Sequence, residues 1–425
     1  MFIRNYKFHF FLIILVSSLI LGLDIGLTSL YKYYRYNKSQ KRKSIRIKHP
    51  VYHHTFKPMI SIDDFYGPME YQLITNSLGF KDKIRRNVKK KISKKRILFI
   101  GDSFTEGVGL KYEDTFVGLV HSKINKDFDV LNAGRSSYCP YLSFLKIKDL
   151  VAEKNYVINE IFVFIDVSDA QDELFRYFKL KVKNNLIPDT TRYNQNKYRN
   201  YLNNSLIALE DKLKDISMDS SNKSIDLSIY RLKRILEKKT TIIYPVLNYI
   251  YDRYLFGENN KVIKTKYEKI IEYYKEINKR SPYQGNYYHV ASIPYYRDGE
   301  IWTTNSTLYE EWGKQGLDES MKYMDSIKVF CDSRKIKMNI GIYPYANELL
   351  FMPSQSYHEK YWVDYADQNN IALFNIYDDF RQRLKGKDKK LFIKENYIVN
   401  DVHFNYSGNV KIADYIIKKL NYYQN

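Results

Sequence analysis

From Ile97 onward the chain alternates between short apolar blocks and longer amphipathic ones. The short blocks are Ile97–Ile100, Phe128–Leu131, Glu160–Asp166, Lys337–Tyr343 and Ile371–Asn375. Brief, nearly continuous apolar runs that end in turn residues are the signature of strands buried on both faces. The longer blocks, near 112–125, 141–154, 317–334 and 357–369, space their apolar residues at helical intervals. Strands alternating with helices predict an α/β domain: a parallel, doubly wound sheet covered on both sides in three layers. Sites in such domains form at the C-terminal ends of the strands.

The alternation stops between about 175 and 316. That stretch is rich in Lys, Asn and Tyr and contains Pro245, Pro282 and Pro294. Helical periodicity returns near 204–216, 227–238 and 261–279. The pattern predicts a mostly helical insertion over 176–316, splitting the sheet domain into 71–175 and 317–425. The insertion either covers the site or elaborates the packing. No internal repeat is present.

At the N-terminus, Phe8–Leu23 is almost wholly apolar, Asp24 interrupts, and Ile25–Tyr31 resumes the run. About 20 apolar residues suffice to cross a bilayer core. Arg4 and Lys7 precede the run and no A-x-A-like cleavage site follows it. The expectation is an uncleaved signal anchor, a single transmembrane helix over 1–31. Lys32–Lys48 carries many basic and no acidic residues, so 32–70 reads as a basic linker. Residues 71–80 are polar and turn-like, and Lys81–Arg96 reads as a solvated basic loop.

Composition changes this picture little. The 425 residues are 44% hydrophobic, enough for a sizeable core, and 69 Lys+Arg against 48 Asp+Glu give a formal charge of +21. A basic chain can bind nucleic acid, anionic lipid or acidic polysaccharide. Here Lys, Asn, Ile, Tyr and Phe are abundant throughout, and neither a C-x-x-C pair nor an RNA-binding motif occurs. A nucleic-acid partner is not expected. Cys139 and Cys331 are too few for a disulfide framework; a single bridge or two buried thiols are the alternatives.

Four segments at predicted strand ends could carry chemistry. They are Gly101-Asp102-Ser103, Asn132-Ala133-Gly134, Asp166-Val167-Ser168-Asp169 and Asp401-Val402-His403. A serine between a strand and a helix is well placed as a nucleophile. It needs a histidine to take its proton, and the histidine needs a carboxylate to set its tautomer. Asp401 and His403 could supply both. The N–H groups of Ser103 and Gly134 are suited to a tetrahedral oxyanion. Each element alone is a common turn; their order and their strand-end positions are far more specific.

In these blocks the chain resembles the SGNH hydrolases, also called GDSL-type lipases or acylhydrolases. Gly101-Asp102-Ser103-Phe104-Thr105-Glu106-Gly107, Asn132-Ala133-Gly134 and Asp401-Val402-His403 carry the likeness, and Thr75–Asp82 looks like a segment of bacterial members. The resemblance implies a flavodoxin-like sheet and a triad of Ser103, His403 and Asp401. It also implies an oxyanion hole from Ser103, Gly134 and the position of Asp169, with no cofactor. Two departures stand out. The Asp-x-His spacing, in place of Asp-x-x-His, looks like that of membrane-associated polysaccharide O-acetyltransferases. Where the family supplies an asparagine to the oxyanion hole, this chain has Asp169, which helps only if protonated.

The resemblance implies an esterase or acyltransferase working through an acyl-Ser103 intermediate; the expected anchor and the Asp-x-His spacing add the expectation of a membrane-anchored enzyme acting on an acylated cell-envelope glycan or small acyl ester. Its domain is expected outside the cytoplasm, alongside glycan-assembly proteins, although the basic flank argues for the opposite orientation. The alternatives are a non-catalytic carbohydrate-binding or assembly protein on the same scaffold, and a lipase or thioesterase. His53, His54 and His121 lack ligand-like spacing, so no metal is expected; His358 reads as structural or exposed. Asp172, Glu173 and Arg176 read as a charged network. Trp302, Trp312 and Tyr343-Pro344-Tyr345 could line a cleft or simply pack.

Overall fold

The computed structural model describes residues 2–66, 69–177, 180–181, 302–303, 306, 309–351, 355–398 and 401–424. Contacts divide the chain into two units, Met1–Ser44 with Asn196–Tyr273, and Ile45–Gln195 with Tyr274–Asn425. In the first unit the described residues belong to one helix, α1 (Phe2–Ile45). The transmembrane helix expected over 1–31 is not found: among the described residues, no helix is long and apolar enough to cross a membrane. Asp24 interrupts the apolar run, where its carboxylate accepts a hydrogen bond from Thr28 at 3.3 Å. Past Tyr31 the same helix continues into the lysine- and arginine-rich stretch. Most of the insertion expected over 176–316 lies outside the described residues.

The linker expected over 32–70 is also corrected. After α1 the chain forms two antiparallel hairpins, β1 (Arg46–His49) with β2 (His53–Phe56) and β3 (Ser61–Tyr66) with β4 (Met69–Ile74). Their apolar side chains close a small core of Ile45, Phe56, Tyr71 and Leu73. In β4, buried Tyr71 and Leu73 alternate with exposed Glu70 and Gln72, the period-two pattern of a strand with one covered face.

The main sheet holds β5 (Lys95–Ile100), β6 (Phe128–Asn132), β7 (Glu160–Ile165), β8 (Lys337–Ile342) and β9 (Ala372–Asn375), in the order β6-β5-β7-β8-β9. Every pairing is parallel. All five expected strands are present within a residue or two of their predicted ends. Between and after them run α2 (Ser103–Glu106), α3 (Phe116–Ile124), α4 (Pro140–Lys148), α5 (Asp169–Gln171), α6 (Lys314–Ser333), α7 (Ala346–Phe351), α8 (Tyr357–Gln368), α9 (Ile376–Leu384), α10 (Lys389–Asn396) and α11 (Tyr406–Gln424). A π-helical turn over 149–153 extends α4 and another over 309–313 leads into α6.

Aromatic rings fill the sheet core. Phe99 stacks on Phe162 with ring centroids 4.8 Å apart, and Phe162 meets Phe374 edge-on at 5.0 Å. Trp302 and Trp312 are buried against each other at 5.7 Å, which assigns them to packing. Cys139 and Cys331 are free and buried. The strand order places the topological switch at β5, whose neighbours are the next two strands of the sheet. The crevice of a doubly wound sheet opens at that switch, and Ser103 follows β5.

Candidate active site

Ser103 is positioned by its neighbours. β5 ends at Ile100, and Asp102 caps α2 by accepting the Phe104 N–H at 3.0 Å. Gly107 closes the short helix at φ +70°, a left-handed conformation that costs glycine little. Ser103 stays half-buried while the residues on both sides of it are buried, so its hydroxyl is the reachable group of this turn.

The partner loop lies between α10 and α11. Backbone bonds tie it shut: Ile398 N–H donates to the His403 carbonyl at 2.8 Å and Asn405 N–H to that of Asn396 at 3.0 Å. It brings His403 against the Phe104 ring, 4.5 Å between centroids. His403 Nε2 lies 2.7 Å from Ser103 Oγ, and His403 Nδ1 pairs with Asp401 Oδ1. The same carboxylate oxygen accepts the backbone N–H of His403 at 3.0 Å. Burial pushes the Asp401 carboxyl up, but its bonds to His403 and the charge there outweigh this, with help from Tyr66, and hold it at about 2. An ionised Asp401 accepts a hydrogen bond from Nδ1–H and so keeps the proton on Nδ1, which leaves Nε2 as the acceptor facing Ser103. Three predicted residues, separated by 300 positions between Ser103 and His403, thus form one hydrogen-bonded chain.

A second layer lies behind the serine. Ser103 Oγ is also 3.1 Å from Asp102 Oδ2, while buried Tyr343 donates to Asp102 Oδ1. Burial, then the charge of Asp166, pushes the Asp102 carboxyl well above the ordinary range. Asp166 in turn accepts from Tyr345 at 2.6 Å and Ser168 at 2.9 Å. Tyr343 and Tyr345 are fully buried and stack near Phe104. They do not line an open cleft; they hold the carboxyls of Asp102 and Asp166 behind Ser103.

The remaining predicted positions fare differently. Gly134 sits in the loop after β6, pressed against α2: an added Cβ would stand 2.5 Å from Glu106 N and 2.6 Å from the Thr105 carbonyl carbon. Its N–H donates to Asn132 Oδ1 at 3.0 Å. Asp169 is buried and turned toward the backbone, its Oδ2 accepting the Asp166 N–H at 3.2 Å while its own N–H donates to Asp166 Oδ1 at 3.0 Å. Burial first, then the charges of Asp166, Asp102 and Asp172, push its carboxyl well above the ordinary range. These surroundings disfavour the ionised form of Asp169. Asp172 pairs with Arg176 at 3.0 Å and Glu173 with Lys181, the charged network expected from the sequence. His358 is buried in α8 against Tyr377.

Sequence reasoning missed Tyr66. From the end of β3 its hydroxyl donates to Asp401 Oδ2 at 3.0 Å and lies 3.2 Å from His403 Nδ1. The period-two alternation of β4 was the available signal for a hairpin here, carried by only two buried positions, Tyr71 and Leu73. The solvated basic loop expected over Lys81–Arg96 is corrected at both ends: Lys81 is buried and donates to the carbonyls of Gly107 (2.7 Å) and Leu110 beyond α2, and Arg96 is buried on Asp129 at 2.8 Å.

No family model matches the chain, and no curated protein matches it. Among solved structures it is similar to an acetyl xylan esterase, at 12% identity and a TM-score of 0.35, covering 76% of this chain and 98% of that one. It is similar at the same identity and score to an acetylxylan esterase from Geobacillus stearothermophilus, covering 78% and 95%. A lipolytic protein of the G-D-S-L family from Veillonella parvula gives 10% and 0.31, covering 76% and 96%. Likeness this low does not assign the family.

Proposed function

We propose that the protein is a serine-dependent ester hydrolase of the SGNH type. The hydrogen-bonded chain Ser103–His403–Asp401 carries this reading. Ser103 Oγ attacks the acyl carbonyl while its proton passes to His403 Nε2. Ionised Asp401 stabilises the imidazolium that forms. The oxyanion of the tetrahedral intermediate faces the backbone N–H groups of Ser103 and Gly134, the latter giving up its bond to Asn132. His403 then returns the proton to the leaving alkoxide, leaving acyl-Ser103. A water, deprotonated by His403, releases the acid and regenerates the serine.

The one-residue gap between Asp401 and His403, shared with polysaccharide O-acetyltransferases, supports an acetylated cell-envelope glycan as substrate. The same gap favours a second reading, in which a sugar hydroxyl replaces water as acceptor. Exposed apolar side chains on α1, with Phe10, Leu23 and Leu30 each about two-thirds exposed, support association with a membrane.

Release of acetate from acetylated oligosaccharides, compared with hydrolysis of longer acyl esters, tests the proposal. Preference for acetyl esters, lost in Ser103→Ala, is expected. Preference for long chains would overturn the glycan assignment, and no turnover of any ester would overturn the reaction class.

A further inference from the structure

We infer that Tyr66 is a positioning residue of the triad, acting as the end of a strut that ties the acid–base loop to the helix carrying the nucleophile. The inference rests on the hydrolase reading above. Asp401 and His403 share one loop, and Asp401 Oδ1 already takes two donors from His403, its backbone N–H and its ring. Those bonds fix the carboxylate relative to the histidine. They do nothing to fix the pair relative to Ser103, which belongs to the β5–α2 turn.

The β3–β4 hairpin makes that connection. At one end Tyr66 donates to Asp401 Oδ2 at 3.0 Å, its ring meeting that of His403 edge-on at 5.3 Å. Two residues back along β3, buried Asp64 accepts from Tyr71 at 2.8 Å and from Arg46 at 3.4 Å. Arg46 also reaches Glu106, the last residue of α2, at 3.8 Å. The line Asp401–Tyr66–β3–Asp64–Arg46–Glu106 thus runs from the acid–base loop to the helix that begins at Ser103. Gly109, just past α2, lies close to the same elements, with room for little more than a methyl: a Cβ added there would stand 3.3 Å from Ile398, 3.4 Å from Met69 and 3.7 Å from Tyr66.

A hydrogen bond to a charged group is worth enough to change a rate about 10- to 100-fold when it is made to reacting geometry. Removing the Tyr66 hydroxyl frees one carboxylate oxygen and lets the Asp401–His403 pair swing relative to Ser103. The loss belongs in kcat, because the hydroxyl bonds the triad and not the substrate.

The test is steady-state kinetics of Tyr66→Phe on p-nitrophenyl acetate, with proton NMR of the low-field His403 Nδ1–H resonance in the same protein. A kcat lowered about 10-fold or more, KM within about twofold of wild type and a shifted or broadened resonance are expected. An unchanged kcat, or a raised KM with kcat retained, would overturn the inference. Should Tyr66→Phe fail to fold, Asp64→Asn decides, because it loosens the strut at its far end. A smaller loss confined to kcat supports the strut, and wild-type kcat overturns it. A wild-type enzyme that turns over while both variants match it overturns this inference alone; an inactive wild type overturns the hydrolase reading with it.

Discussion

Arg135 and Glu106 form an ion pair in which both side chains are almost completely buried. Ser136 adds its N–H and its hydroxyl to the same carboxylate oxygen, each at 2.7 Å. Burial pushes the Glu106 carboxyl up, but Arg135 and then Arg46 outweigh it and hold it at about 2. The pair fastens the loop carrying Gly134 to the helix that starts at Ser103. Breaking a buried pair from one side strands a charge and costs about 3–5 kcal/mol, whereas replacing both partners with apolar groups is often neutral. Arg135→Met should lose stability of that order in urea unfolding. Glu106→Leu combined with Arg135→Met should recover much of it. A single variant as stable as wild type would contradict the assignment.

Gly134→Ala tests the fit of the loop after β6, the proposed source of an oxyanion donor. The new methyl would meet the backbone of Thr105 and Glu106 at 2.5–2.6 Å, and backbone cannot yield as a flexible side chain can. Overpacking of this kind costs about 1–3 kcal/mol. The displaced element also carries Ser103, so kcat should fall at least about 10-fold, as misplacement near the chemistry does. Thermal unfolding and kinetics on the purified variant check both.

Asp169→Asn gives a pH test with a definite sign. The native carboxyl is pushed well above its ordinary range, by burial and then by Asp166, Asp102 and Asp172. The folded state therefore binds a proton that the unfolded state releases as pH rises, and stability falls with it. Asparagine keeps an acceptor for the Asp166 N–H and has no proton to lose. Relative to wild type, the variant's Tm should gain steadily above about pH 4, with little difference below. A gain that shrinks as pH rises would contradict the protonated Asp169 inferred here.

Asp401→Asn shows the opposite slope. Asp401 is depressed to about 2, burial opposing and His403 prevailing. Its stabilising contribution is present above the ordinary carboxylate value and is lost as pH falls toward 2. The stability gap between wild type and Asp401→Asn should close between about pH 4 and pH 2. At neutral pH the asparagine also favours the wrong histidine tautomer, and kcat should drop by up to about 10⁴-fold. Rates within tenfold of wild type would argue against a working triad.

The five strands of the main sheet were legible because burial on both faces leaves a continuous apolar signature, as in Ile161–Ile165. Ser103, Asp401 and His403 were legible because each follows a strand or sits in a loop of distinctive composition. What escaped depends on long-range contact or on weak local signal. The strands of the β1–β4 hairpins are only four to six residues long, so their alternation is easily passed over. Tyr66 reaches Asp401 across 335 positions, and nothing local announces that. Asp102 reads as a helix cap, which it is, yet its second oxygen faces Ser103. The apolar N-terminal run suggested a membrane span from composition, but among the described residues no helix meets the length and apolarity a span needs.

The most direct test of the central claim is reaction of the folded wild-type protein with a fluorophosphonate, followed by peptide mass spectrometry. The Ser103–His403–Asp401 chain predicts near-stoichiometric modification at Ser103, absent in Ser103→Ala and strongly slowed in His403→Ala. A folded wild-type protein that stays unlabelled, or one labelled equally well after Ser103→Ala, would contradict the account.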